Sequence, residues 1–163
     1  MIKEYVAEFK QELANTRKVL ERVPAVHFNW KPHEKSMSLL KMASHIADMA
    51  RWATITVQQD ELDFSKPYPK PPEINTTEEL LAFFDQVKVE ALAALVNTKE
   101  ETLQENWTLR NGEQVIFTMP KAVVLRSMVF NHIIHHRGQL TIYLRLLDVP
   151  IPGLYGPSAD ERN

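Results

Sequence analysis

The chain has 163 residues, 44% hydrophobic and 25% charged, with 19 Lys and Arg against 21 Asp and Glu for a net charge of −2. That balance excludes a uniformly basic nucleic-acid binder, and the absence of cysteine excludes disulfides, thiolate metal sites, iron–sulfur clusters and a cysteine nucleophile. No stretch approaches the roughly 20 apolar residues of a membrane helix, and Met1-Ile2-Lys3-Glu4-Tyr5 has no apolar signal core, so the expected location is cytoplasmic.

The four glycines lie at positions 112, 138, 153 and 156, which argues for long helices and against a glycine-rich nucleotide loop. Ile2, Val6, Phe9, Leu13, Thr16 and Leu20 form a helical stripe, predicting a first helix from Ile2 to about Leu20 with one buried side. Pro24 and Pro32 then bracket an irregular connection that carries His27, with His33 just after it, both expected to be exposed. A second helix is predicted from Ser36 or Ser38, either of which can cap it, to about Gln59. Pro67, Pro69, Pro71 and Pro72 forbid regular helix across Asp63 to Glu73.

Thr76 and Glu79 have capping-box spacing for a third helix reaching about Asn97. Val115, Ile116 and Phe117, with the turn signal Asn111-Gly112, predict a small two-stranded hairpin within Trp107 to Met119. The last helix is predicted over Lys121 to Leu147, with Thr118 as its cap, Pro120 in its first turn and Gly138 hinting at close packing. The expected fold is therefore all-α: one domain, residues 1–163, built as an antiparallel four-helix bundle with a β-hairpin insertion before the last helix.

The chemistry concentrates in two helices. His132 and His136 are four residues apart, hence one turn apart on one helix face, and Leu125, Leu140, Tyr143 and Leu147 continue that face toward the interior. His45 stands in the stripe Met42, Met49 and Trp52 of the second helix, where an idle position would carry leucine. Three buried imidazoles cost solvation unless each is hydrogen-bonded or metallated, and a shared divalent ion meets that cost for all three. Core histidines satisfied by backbone or hydroxyl groups would give the same spacing.

Asp48, three residues after His45, borders the same face and is a candidate to orient a ligand or act as a base. His135 is rotated about 100° from His136 on an ideal helix, which leaves it a hydrogen-bonding or proton-shuttling role beside the site. No acidic residue occurs between Glu113 and Asp148, while Lys121, Arg126, Arg137 and Arg145 are cationic, making Arg137 a candidate to attract an anionic substrate or thiolate. Charge balance against the acidic helices is the simpler account of those four cations. The hydroxyls of Tyr143 and Tyr155 are candidates to line a cavity, Tyr143 as a cofactor contact. The missing Glu-x-x-His and His-Glu-x-x-His patterns disfavour di-iron bundles and the common zinc peptidases.

Five segments, in order, resemble the DinB/YfiT-like family of metal-dependent enzymes: Trp30 to Met37, Met42 to Ala47, Asn131 to Leu140, Tyr143 to Arg145 and Val149 to Gly156. The resemblance spans nearly the whole chain. It implies a four-helix bundle in which His45, His132 and His136 hold a divalent metal, with nickel, zinc, iron and manganese all compatible. It further implies a small-molecule substrate, a homodimer, and a transferase that uses a low-molecular-weight thiol such as bacillithiol. Metal-dependent hydrolysis and a non-catalytic metal-bound structural or signalling role are the alternatives.

Overall fold

A computed structural model describes residues 2–161. The first helix, α1 (Ile2–Leu20), buries Phe9, Leu13, Thr16 and Leu20 on the predicted stripe. Phe9 is fully buried and stacks on Phe130, with ring centroids 4.7 Å apart and planes within 8°.

The second helical segment starts where a serine satisfies its first free amides. Ser38 is the cap, its Oγ accepting from Lys41 N at 3.2 Å. Instead of one rod to Gln59, the chain forms α2 (Leu39–Met49) and α3 (Arg51–Gln58) with a step at Ala50. There Ala53 N donates to Ala50 O at 3.1 Å, the shorter spacing of a tightened turn. Ala47, Ala50 and Ala53 are all fully buried, so the step lies where small side chains let the backbone pack closely.

The next helix, α4 (Thr77–Val96), begins with the expected reciprocal cap: Thr76 Oγ1 accepts from Glu79 N at 3.1 Å, and Glu79 Oε2 accepts from Thr76 N at 3.2 Å. Such a cap contributes about 1 kcal/mol.

The insertion is a three-stranded sheet, not a hairpin alone. β1 (Glu61–Asp63) pairs parallel with β2 (Asn106–Asn111), which pairs antiparallel with β3 (Gln114–Pro120). Asp63 Oδ1 ties β1 to the hairpin turn by accepting from Gly112 N at 2.8 Å, and Gly112 holds φ +59°, a conformation that favours glycine. Thr118, expected to cap the last helix, instead shares a 2.9 Å hydroxyl contact with Thr108 across the strands.

The final helical segment is also interrupted. α5 (Lys121–Val124) leads into a π-helical segment, Leu125–Phe130, and then α6 (Asn131–Leu146). Gly138 is exposed, and a Cβ there would meet nothing within 4 Å, so the anticipated close packing is absent. Helix α1 packs against α4 and α6, and α2 against the same two, which closes a four-helix arrangement around one apolar core. A second cluster, Ile55, Leu62, Trp107, Leu109 and Val124, fastens the sheet to α3 and α5. Among the described residues no helix is long and apolar enough to cross a membrane.

Candidate metal centre

Two helices bring the three histidines together. His45 lies in the middle of α2, and His132 and His136 occupy successive turns at the start of α6. Ring centroids are 5.5 Å apart for His45 and His132, 4.7 Å for His45 and His136, and 4.6 Å for His132 and His136. One ring nitrogen from each lies within 4.8 Å of the other two.

The hydrogen bonds decide which nitrogens are free. Gln139 Oε1, a pure acceptor, lies 2.7 Å from His136 Nδ1, so that nitrogen carries the proton and Nε2 presents a lone pair. His132 makes a backbone hydrogen bond to Met128 that favours its protonated form, so it donates there. Its Nε2 faces His136 Nε2 at 2.8 Å. Two lone pairs do not meet at that distance unscreened; a proton or a cation belongs between them.

Burial selects between the two. Desolvation first, then the neighbouring charges of His136 and His132, push His45 down to about 4, and desolvation followed by His136 lowers His132. His45 and His132 thus resist added protons, and the three rings together present imidazole nitrogens, which is the donor set that a divalent transition metal takes. The ligand orientation also fits, because metal-bound histidines characteristically donate their second ring N–H to a fixed acceptor. The π-helical segment ends immediately before α6 and includes Met128. Its wider turn sits where such irregularities often mark functional sites.

A cavity of about 610 Å³ opens beside His45 and His132. Met49, Trp52, Phe64, Tyr68, Leu109, Ile116 and Met128 form most of its wall, and Asp48 adds one carboxylate. Its size falls within the ordinary range for small-molecule sites.

The other expected residues separate. Asp48 reaches the cavity and is 8% exposed, but Oδ1 accepts from Arg51 Nε at 2.8 Å and Oδ2 from the Tyr68 hydroxyl at 3.0 Å. Neither partner is a histidine. His135 is exposed and lies edge-on to His136 at 5.0 Å, outside the three-nitrogen cluster.

Arg137 does not face the cavity. It is 1% exposed, and its guanidinium pairs with Glu12 Oε2 at 2.6 Å while donating to Glu12 O, Thr16 Oγ1 and the Tyr155 hydroxyl. The anion-attracting role expected of it fails on direction, since the charge is spent on α1. Tyr143 likewise lies off the cavity wall, its hydroxyl donating to Met37 O at 3.3 Å and its ring edge-on to Trp30. Tyr155 anchors the tail to Glu12 at 2.7 Å. His27 and His33 are both exposed, and His33 Nδ1 accepts from Lys35 N at 3.1 Å within its own loop.

Sequence reasoning missed Gln139, whose place three residues after His136 was a usable signal. It also missed Phe64 and Tyr68, which come from a proline-rich loop without periodicity, and Leu109 and Ile116, which the sheet carries to the cavity.

Comparison with known proteins agrees with this architecture. YrdA of Bacillus subtilis (strain 168), described as an uncharacterized protein, is 27% identical over 162 residues, covering 96% of this chain and 89% of the relative. The crystal structure of the DinB-like protein YjoA from Bacillus subtilis superposes with a TM-score of 0.68 at 20% identity, over 90% of this chain and 95% of that one. A DinB-like protein from Bacillus cereus gives a TM-score of 0.70 at 21% identity, over 94% of this chain and 97% of that one. Those two likenesses establish the fold. The three-histidine cluster adds a candidate metal-binding site, consistent with a metal-dependent enzyme. The DinB family profile matches residues 1–163 from end to end, and the chain belongs to that family.

Proposed function

We propose that the protein is a metal-dependent enzyme that transfers an exogenous low-molecular-weight thiol, of the bacillithiol class, to a small electrophile. The observation that carries the metal-centred part is the 2.8 Å approach of His132 Nε2 and His136 Nε2, with His45 completing the set. When bound, a divalent ion supplies Lewis-acid chemistry that favours the deprotonated form of a thiol held beside it.

The chain's own residues do the rest. His45, His132 and His136 hold the ion, Gln139 keeps the His136 ring in the tautomer that leaves Nε2 free, and the Met128 backbone does the same for His132. Trp52, Met49 and Met128 give the cavity an apolar wall on which the body of an apolar electrophile would be seated beside the metal. In the transfer, the thiol would give up its proton to solvent, a sulfur–carbon bond forms, and the bond from that carbon to the leaving group breaks, the leaving group departing with the electron pair and taking up a proton from solvent where its basicity requires one. Because the chain has no cysteine, any thiol nucleophile comes from outside it.

Asp48 supports a second reading, metal-dependent hydrolysis, because its carboxylate lies on the same cavity wall as two of the histidines. Its oxygens are held by Arg51 and Tyr68, so proton acceptance there requires exchange of one partner, which places this reading second.

The test is metal content of freshly purified protein, followed by mass spectrometric detection of conjugates between a supplied thiol and electrophile. His132→Ala is expected to lose both the metal and the conjugation. Conjugation unaffected by that substitution refutes the metal-centred mechanism, and water rather than thiol found on the product favours hydrolysis.

A further inference from the structure

The cavity has a composition that discriminates by charge. Among the described residues on its wall, Asp48 is the one carboxylate, and no lysine or arginine takes part. Arg51 lies 2.8 Å from Asp48, so the acid is itself compensated. Without a bound metal, an anion entering this space gives up its hydration and finds no cationic side chain in return, which is the costly case for a buried charge. A cation finds only a carboxylate that already has a partner.

The remaining wall is apolar and carries aromatic rings. Trp52 and Phe64 present tilted rings with centroids 6.2 Å apart, and Met49 and Met128 bring polarizable thioethers that pack well against aromatic faces. Phe64 is 51% exposed and Ile116 50% exposed although both belong to the cavity wall, so apolar surface is left facing water that a ligand of matching character would cover. His45 and His132 line the cavity, while His136, the third member of the cluster, is absent from the wall. A molecule seated there meets the candidate metal centre from the His45 and His132 side.

We infer that this cavity takes an uncharged molecule with an apolar, aromatic body, in preference to an anion or a cation of the same shape. Its role as the electrophile site rests on the metal-centred reading above, in which the cavity selects the electrophile. The expected substrates are neutral aromatic electrophiles, and not organic acids.

The probes are benzyl alcohol, benzoate and benzylammonium, which share a ring and differ in charge. They are titrated into the intact chain, metal-free and metal-loaded, while methyl NMR follows the labelled methionines, six in all. Benzyl alcohol is expected to move the Met49 and Met128 methyl signals saturably, and both ions to bind the metal-free chain at least roughly tenfold more weakly. Ile116→Asp and Phe64→Asp, both at half-exposed positions, are each expected to weaken benzyl alcohol binding by a similar factor. Equal or tighter binding of either ion to the metal-free chain overturns the inference, as does a response confined to the other methionines. If benzyl alcohol binds with this selectivity and the protein takes up no metal, the cavity assignment stands and the metal-centred reading fails. If metal is held and benzyl alcohol moves neither signal, the cavity assignment alone fails.

Discussion

Replacing Gln139 with leucine removes the acceptor 2.7 Å from His136 Nδ1 while leaving every proposed metal ligand in place. The imidazole is then free to move its proton to Nε2, which withdraws the lone pair from the site. Loss of an outer partner to a metal-bound histidine typically costs 10- to 100-fold in metal affinity, about 1.4 to 2.8 kcal/mol. Gln139 is exposed, so water substitutes for part of the lost hydrogen bond, and the expected loss lies near the lower end, about tenfold. Gln139→Glu supplies a stronger acceptor in the same position and is expected to bind metal at least as tightly as the parent. The assay is competition of metal-stripped protein against a chromophoric chelator, with denaturant unfolding of the metal-free variants as the control. Because the position is exposed, apo stability should change by no more than about 0.5 kcal/mol. Metal affinity unchanged in Gln139→Leu refutes the tautomer assignment, and so does an apo stability loss as large as the affinity loss.

Two further outcomes test the scaffold. Arg137→Met leaves Glu12, which is 6% exposed, as an uncompensated buried charge, so unfolding free energy is expected to fall by about 3–5 kcal/mol in urea titration, with much of that loss recovered in Glu12→Gln/Arg137→Met. Equal losses in the single and double variants reject the ion pair as the cause. Asp63 is held down to about 2, first by the Gly112 N–H and then by the Ser65 hydroxyl and N–H. A depressed carboxylate contributes stability that is fully present above its unfolded pKa of about 3.9 and is lost as pH falls through its folded value. The stability gap between the parent and Asp63→Asn should therefore be constant above pH ~4 and close as pH drops toward ~2; a gap that persists at the lower pH contradicts the hydrogen-bonded turn as its source.

The helices were legible where a local device announced them. The Phe9–Leu13–Thr16–Leu20 stripe and the Thr76–Glu79 box each involve residues three or four apart, and both appear in the structure as the sequence spacing implies. Asn111-Gly112 marked the β2–β3 hairpin for the same reason. β1 was not legible, because Glu61–Asp63 gains strand geometry only by pairing with distant Thr108 to Arg110. The step at Ala50 and the wide turn over Leu125–Phe130 also escaped, since an apolar stripe tolerates a local change of winding without losing its side of the helix.

The site divides along the same line, between what one helix can encode and what several elements assemble. His132 and His136 were readable as a pair from spacing alone, and His45 from its polarity within an apolar stripe, whereas Phe64, Tyr68 and Ile116 reach the cavity only through tertiary folding. Arg137 was misjudged because a count of charges along α6 says nothing about direction. Residues 136 and 137 point about 100° apart on a helix. The guanidinium is accordingly held between Glu12 and Thr16 of α1, at the position beside a proposed ligand. The adjacent imidazole is turned toward His45, with which its ring packs at 4.7 Å. The cation that sequence reasoning offered to a substrate instead ties α1 to the helix that carries two of the three histidines, on a side of that helix away from the cavity wall.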